Sequence, residues 1–329
     1  MRNLSQRRSA TALRRLAEGE STRTVVIAFL ANLVIAIAKL IAGLASQSTG
    51  MLAESAHSGA DAINEVFLAI GLYRHGIPAD AAHPGGHGRE RFLWAFMAAI
   101  SSFLIGGCLS IALAIGELRE RHAIAGGFGA WIVLAISFVA DGASWLQSVR
   151  QAKVQAKEYG VSVWRYIRIS SDPVVRAVAF EDSAALIGLL LAAAGLLFSK
   201  IFGTNVPDSL ASLLIGLLLA VTAFALARPL ADFLVGRSLP AELFEKLKAM
   251  IIEDSAIEEL LTLRATYSGP EEVIVVGKAC PSQKLSVEQF TQAMDDLDRR
   301  IRSALPIVAD VFIDVTANAA EADSGEPQS

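Results

Sequence analysis

Six long apolar stretches limit what this chain can fold into more than any other feature. They run roughly from Thr24 to Ser46, Thr49 to Tyr73, Phe92 to Glu117, Gly129 to Ser148, Val174 to Phe198 and Asp208 to Phe233. Each meets the ~20 residues that a helix needs to cross a hydrocarbon layer about 30 Å thick. Inside lipid every backbone polar group must be satisfied within the chain, so the expected form is six transmembrane helices. The composition agrees: 53% of residues are hydrophobic and 19% charged, with a mean hydropathy of +0.47, well above a soluble globular chain. After Gly236 the hydropathy falls, and about 80 residues of mixed sequence follow, enough for one small domain. Four regions are expected: a basic arm over residues 1–23, the membrane domain over 24–236, a soluble domain over 237–317 and a disordered acidic tail over 318–329.

The second stretch breaks its own apolar pattern. Glu54, His57, Asp61 and Glu65 follow one another at spacings of three, four and four, which places all four on one face of a helix. At membrane depth an ionisable group costs about 2.5 to 3.5 kcal/mol on insertion scales, so such a row marks a polar pathway or a set of pairs. The first stretch carries Asn32 and Lys39. Lys39 either snorkels to the surface or supplies a counter-charge to the neighbouring row. Only Gln47 to Thr49 separates the two stretches, so a tight antiparallel hairpin is expected.

The loop that follows reads Asp80-Ala-Ala-His83-Pro-Gly-Gly-His87-Gly-Arg89. Glycine and proline mark a turn, while one carboxylate and two imidazoles within eight residues form a ligand set for a borderline metal. Solvated histidines in a plain turn are the alternative. The third stretch holds Gly106, Gly107 and Gly116, suited to close helix packing, and no ligand row. In the fourth, Asp141 precedes Gly142, so this acid either faces the pathway or caps a kink. The fifth begins after Asp172-Pro173, a proline suited to a helix start, and carries Glu181 beside Asp182. Adjacent helical residues point about 100° apart, so one acid faces a site while the other pairs elsewhere, with Lys39 as a candidate partner. Gly188, Ala192 and Gly195 suggest a packing face.

The soluble region is expected as helix (Ala241 to Ile252), strand (Leu261 to Tyr267), strand (Glu272 to Ala279), helix (Val287 to Leu305) and strand (Asp310 to Val315). That order is a small α+β, ferredoxin-like arrangement, with a capping box at Ser286 and Gln289. Its middle strand is apolar on both faces, which suggests a second covered face and hence a dimer.

Arginine and lysine concentrate in the N-terminal arm and in the loops from Arg74 to Arg91 and Arg150 to Arg168, against Arg119, Arg121 and Lys200 on the other side. Both termini are therefore expected in the cytoplasm of a multi-pass protein, such as one of the bacterial inner membrane. The arm lacks the apolar core of a secretory signal, and Glu18 and Glu20 weigh against a mitochondrial presequence. Cys108 and Cys280 fall in different compartments and cannot pair. The net charge of −4 at pH 7 adds nothing about nucleic acid, and no basic patch interleaved with aromatics appears outside the membrane-flanking loops, so no nucleic-acid partner is expected.

Six spans, the His57-x-x-x-Asp61 row, the His83-Pro-Gly-Gly-His87-Gly-Arg89 loop and the small α+β domain after Arg237-Ser238-Leu239-Pro240 resemble the cation diffusion facilitator family over about residues 24 to 317. The Glu181-Asp182 pair is similar to the zinc transporter 9-like branch. The resemblance implies a homodimeric exporter of zinc, or of manganese, iron or cobalt, driven by protons through alternating access, without an enzymatic cofactor. It makes His57 and Asp61 ligands of the transported ion, and it makes Asp80, His83 and His87 a loop metal site. Arg89 matches a position whose acidic partner at the dimer interface would fall at Gly236, with Asp232 the nearby substitute.

The fifth span departs from the family pair of ligands four residues apart, which would fall on Val178 and Asp182 or on Val174 and Val178. His57, Asp61 and one of Glu181 or Asp182 still suffice for zinc, with water or Glu54 in the fourth position. Glu54 and Glu65, one turn outside the ligands, are expected as access or proton-relay groups. An intramembrane enzyme using His57 as a base would want a nucleophile nearby, and Ser55, Ser58 and Ser183 carry no such motif. A metal sensor or assembly partner without transport is the remaining class.

Overall fold

The computed structural model describes residues 29–119, 128–158, 160, 162–163, 173–270 and 272–316. The basic arm and the acidic tail expected from the sequence lie outside these residues. The described chain divides into two compact units, one of residues 29–73 and 93–230 and the other of residues 74–92 and 231–316.

The first unit is helical. Its helices are α1 (Phe29–Ser46), α2 (Thr49–His75), α3 (Glu90–Arg119), α4 (Phe128–Glu158), α5 (Pro173–Phe202) and α6 (Val206–Val235). Five have a segment long and apolar enough to cross a membrane. The exception is α2, whose polar row of Glu54, His57, Asp61, Asn64 and Glu65 dilutes its hydropathy, although its 27 residues span about 40 Å. The protein is an integral, multi-pass membrane protein. Leu33, Val34, Ile37, Ile41 and Leu44 of α1 are among many exposed aliphatic side chains, as expected for surface facing lipid.

The interior of this unit is built from small residues and branched aliphatics, with Met51 and Ala53 of α2 against Leu134 of α4, Leu189 and Leu196 of α5, and Ile215 and Leu219 of α6. Close approach depends on glycine at particular places. A β-carbon at Gly107 of α3 would lie 3.3 Å from Ala220, and one at Gly195 would lie 2.6 Å from the β-carbon of Ala211. Gly116 differs from expectation, because nothing lies within 4 Å of where its β-carbon would stand. Between Ser102 and Cys108, α3 widens into a π-helical segment beside the Gly106 and Gly107 contacts with α6. The sixth helix runs through Pro229 to Val235, two residues past the expected Phe233.

One carboxylate ties the start of α2 to α6. Asp208, fully buried, accepts hydrogen bonds from the Ser48 hydroxyl (2.8 Å), the Thr49 hydroxyl (3.0 Å) and the Gly50 amide (3.1 Å). The first amides of a helix have no partner in the helix itself, and a carboxylate there satisfies them and complements the helix dipole.

In the second unit the expected helix, strand, strand, helix, strand order is present: α7 (Ala241–Ile252), β1 (Ile257–Gly269), β2 (Glu272–Pro281), α8 (Val287–Ala304) and β3 (Val308–Val315). The sheet order is β1-β2-β3, antiparallel between the first pair and parallel between the second. That parallel pairing requires a crossover, which α8 supplies. Ser286 and Gln289 form the expected capping box. Val273, Val275 and Ala279 of β2 are fully buried, as are Leu247 and Ile251 of α7 and Leu297 and Ile301 of α8, so the helices cover one sheet face. On the other face Val276 and Phe312 stand partly open, at 49% and 57% exposure.

The loop 74–92 belongs to this unit. Phe92 stacks on Phe233, which meets the edge of Tyr267, and Arg237 lies over the Phe233 ring. A β-carbon at Gly88 would lie 2.5 Å from the Ser268 carbonyl, so only glycine lets the loop approach the β1–β2 turn this closely.

Candidate metal-transport site

The α2 row is distributed over several neighbours. Lys39 of α1 is fully buried and donates to the Glu54 carboxylate at 3.0 Å and to the Ser58 hydroxyl at 2.8 Å, with Asp141 of α4 at 3.8 Å. Of the two roles open to Lys39, the counter-charge is the one observed. Glu65, at the other end of the row, accepts from the Asn32 amide at 2.8 Å.

Between these ends lies His57, 1% exposed. Its Nδ1 stands 3.4 Å from an Asp61 oxygen, yet neither ring nitrogen makes a hydrogen bond, and that Asp61 oxygen also lacks one. Buried polar atoms are rarely left this way, because each costs about 1–3 kcal/mol. Lone pairs on an imidazole and a carboxylate, side by side and without donors, are what a divalent cation requires.

On α5 the adjacent acids diverge as helix geometry requires. Glu181 faces α2, where it accepts from the Asn64 amide at 2.9 Å. Asp182 faces α4 and accepts from Ser148 at 2.9 Å and Ser144 at 3.3 Å. Lys39 as the partner of the second acid is therefore corrected: its neighbours are Glu54 and Asp141, and the Asp182 charge rests on two serine hydroxyls. The side chains of Val174 and Val178 lie outside the described residues. His57, Asp61 and Glu181 do not converge into a closed set, since only Asp80, His83 and His87 among the described residues do so.

Asn64 went unnoticed in the sequence. It lies three residues after Asp61 and seven after His57, on the same helical stripe, and an amide there was the available signal. The serine pair on α4, Ser144 and Ser148, has the same four-residue spacing and was missed for the same reason. The serines considered as nucleophiles are otherwise engaged: Ser55 bonds the Ala36 carbonyl, Ser183 bonds the Ala179 carbonyl and Ser58 receives Lys39.

The loop triad is compact, with one ligand atom from each of Asp80, His83 and His87 lying within 4.8 Å of the others. One Asp80 oxygen accepts from the backbone amides of Ala82 and His83 at 2.8 and 2.7 Å, while the other meets His87 Nε2 at 3.2 Å. His87 Nδ1 in turn meets Glu90 at 2.6 Å, and Glu90 is paired with Arg74. The backbone amide of His83 first, then the His87 side chain, hold the Asp80 carboxyl down at about 2. The Glu90 carboxylate, followed by Asp80, raises His87 above its ordinary 6.5. Arg89 and Asp232 are both exposed and do not pair with each other within the chain.

Residues 25–235 match the sequence pattern of a family described as the cation efflux transmembrane domain. The chain is 29% identical over 251 residues to a Xenopus laevis protein named proton-coupled zinc antiporter SLC30A9, mitochondrial, covering 76% of this chain and 45% of that protein. It is 31% identical over 250 residues to metal tolerance protein C4 of Arabidopsis thaliana, covering 76% and 55%. The Bacillus subtilis manganese efflux system protein MneP is 22% identical over 301 residues, covering 90% and 95%. The chain thus spans about half the length of the first two relatives.

Proposed function

The chain belongs to the cation efflux family, and from that premise we propose that it exports a divalent metal ion, zinc in the first place, in exchange for protons. The observation that carries this is the buried His57, with no hydrogen bond at either ring nitrogen, beside an Asp61 oxygen that also lacks one, on the helix that Glu181 faces. His57, Asp61 and Glu181 would bind the ion. The fourth zinc position is left to water, because Glu54 is taken by Lys39 and Asp182 by α4. Metal needs a neutral imidazole and ionised carboxylates, so binding expels protons and protonation expels metal. Alternation of the site between the two membrane faces then couples the two flows.

Both termini would lie in the cytoplasm. The open Val276 and Phe312 on the outer sheet face support a homodimer. Asp80, His83 and His87 would form a second metal site in the loop.

Metal binding to the purified full-length protein in lipid nanodiscs tests the assignment, with Asp80→Ala as background so that the loop triad does not contribute. Zinc, manganese, cobalt and iron are compared in competition. His57→Ala should weaken zinc binding by about two orders of magnitude, the share of one ligand in a zinc site. Unchanged affinity would remove His57 from the site.

A further inference from the structure

Lys39, Glu54 and Asp141 join α1, α2 and α4 deep in the helical unit, with side-chain exposures of 0%, 0% and 19%. A buried ion cluster is weak evidence of stabilisation, since apolar residues of equal volume often serve as well or better. Its composition and position suggest another use. Glu54 lies one turn from His57 on the same row, and its second oxygen, Oε1, has no hydrogen-bond partner. That oxygen rests against Gly188 of α5, where even a β-carbon would collide with it. Glu54 is therefore a buried carboxylate one helical turn from His57, with one oxygen held by the Lys39 ammonium and the other free of hydrogen bonds.

We propose that Lys39 is a specificity-determining residue for the transported ion. Its ammonium engages Asp141 and one Glu54 oxygen, Oε2, and so anchors the Glu54 carboxylate in a position that keeps it from the ion bound at His57, Asp61 and Glu181. The site is thereby kept small and contains nitrogen, which suits four-coordinate zinc. With Glu54 released, the same site becomes richer in oxygen and favours manganese, which prefers carboxylate and water ligands in six-fold coordination. The proposal rests on the transport-site assignment above.

The test is zinc against manganese competition on full-length protein in nanodiscs, again in the Asp80→Ala background, read as the ratio of affinities relative to the unchanged site. Lys39→Gln should shift that ratio toward manganese by on the order of tenfold, while Lys39→Arg keeps the charge and should keep the ratio. Since uncompensated buried carboxylates destabilise the single variant, the decisive pair is Lys39→Gln with Asp141→Asn and Lys39→Gln with Glu54→Gln. Each leaves one carboxylate behind, but only the first frees the one on the ligand row. A manganese shift in the first and none in the second supports the proposal. An equal ratio in both, with zinc binding still lost in His57→Ala, overturns the proposal alone. Retained zinc binding in His57→Ala overturns the site assignment and the proposal with it.

Discussion

Replacing Glu181 by Gln and Asp182 by Asn should have very different consequences, although the two acids are neighbours in sequence. Glu181→Gln keeps the side-chain volume and an oxygen that can still accept from Asn64, now at 2.9 Å. The fold should survive, and what is lost is one anionic ligand facing α2. A structural zinc site is worth about 10–16 kcal/mol in apparent terms. Shared among four ligands, that is about 3 kcal/mol each, or about a hundredfold in affinity. Asp182→Asn instead alters a carboxylate already occupied by Ser144 and Ser148. The asparagine oxygen can accept from both, so zinc affinity should fall by less than about tenfold, through altered packing and charge alone. Both can be measured by competition with a zinc-chelating dye on protein in nanodiscs. A larger loss in Asp182→Asn than in Glu181→Gln, or equal losses, would refute the division of roles.

Two further outcomes follow from the surrounding contacts. Asp208→Ala leaves three donors at the start of α2 without their acceptor, and should lower stability in reversible denaturation in mixed micelles by about 3 kcal/mol or more. Asp208→Asn, which keeps an acceptor, should cost clearly less, and equal stability of all three proteins would refute the clamp. In the loop, the raised His87 makes its contribution to stability complete below about pH 6.5 and lost as pH rises through its shifted value. Asp80 contributes fully above about pH 4 and loses that contribution as pH falls toward 2. The apo loop is thus best ordered between those limits, and metal must displace the His87 proton, so occupancy of the triad should rise above pH 6.5. NMR of histidine-labelled protein should show one imidazole titrating above 6.5 that Glu90→Gln lowers; no change on that substitution would remove Glu90 as the cause.

Much of the helical unit could be read from the chain because lipid imposes a length and a composition on each span, and the row on α2 was visible because its spacing is helical. The soluble domain was legible through alternation and the Ser286 capping box. What was missed depends on rotation between helices, which periodicity within one helix does not set. Glu181 and Asp182 were known to diverge, but whether Lys39 or the α4 serines met Asp182 depends on how α1, α2 and α4 are turned toward one another. The π-helical segment at Ser102–Cys108 likewise follows from packing and not from local preference. Asn64 was overlooked because an amide carries no charge, although it lies on the same stripe as the residues that do.

The most direct measurement is metal flux in vesicles reconstituted with the full-length protein, loaded with a zinc-sensitive dye and given a pH gradient. Zinc should enter the acidic lumen as protons leave. The flux should collapse when the gradient is dissipated, and His57→Ala and Asp61→Asn should each abolish it while the protein remains folded. Flux that persists in either variant, or zinc that binds to the protein without crossing the membrane, would contradict a proton-coupled transport site at His57 and Asp61.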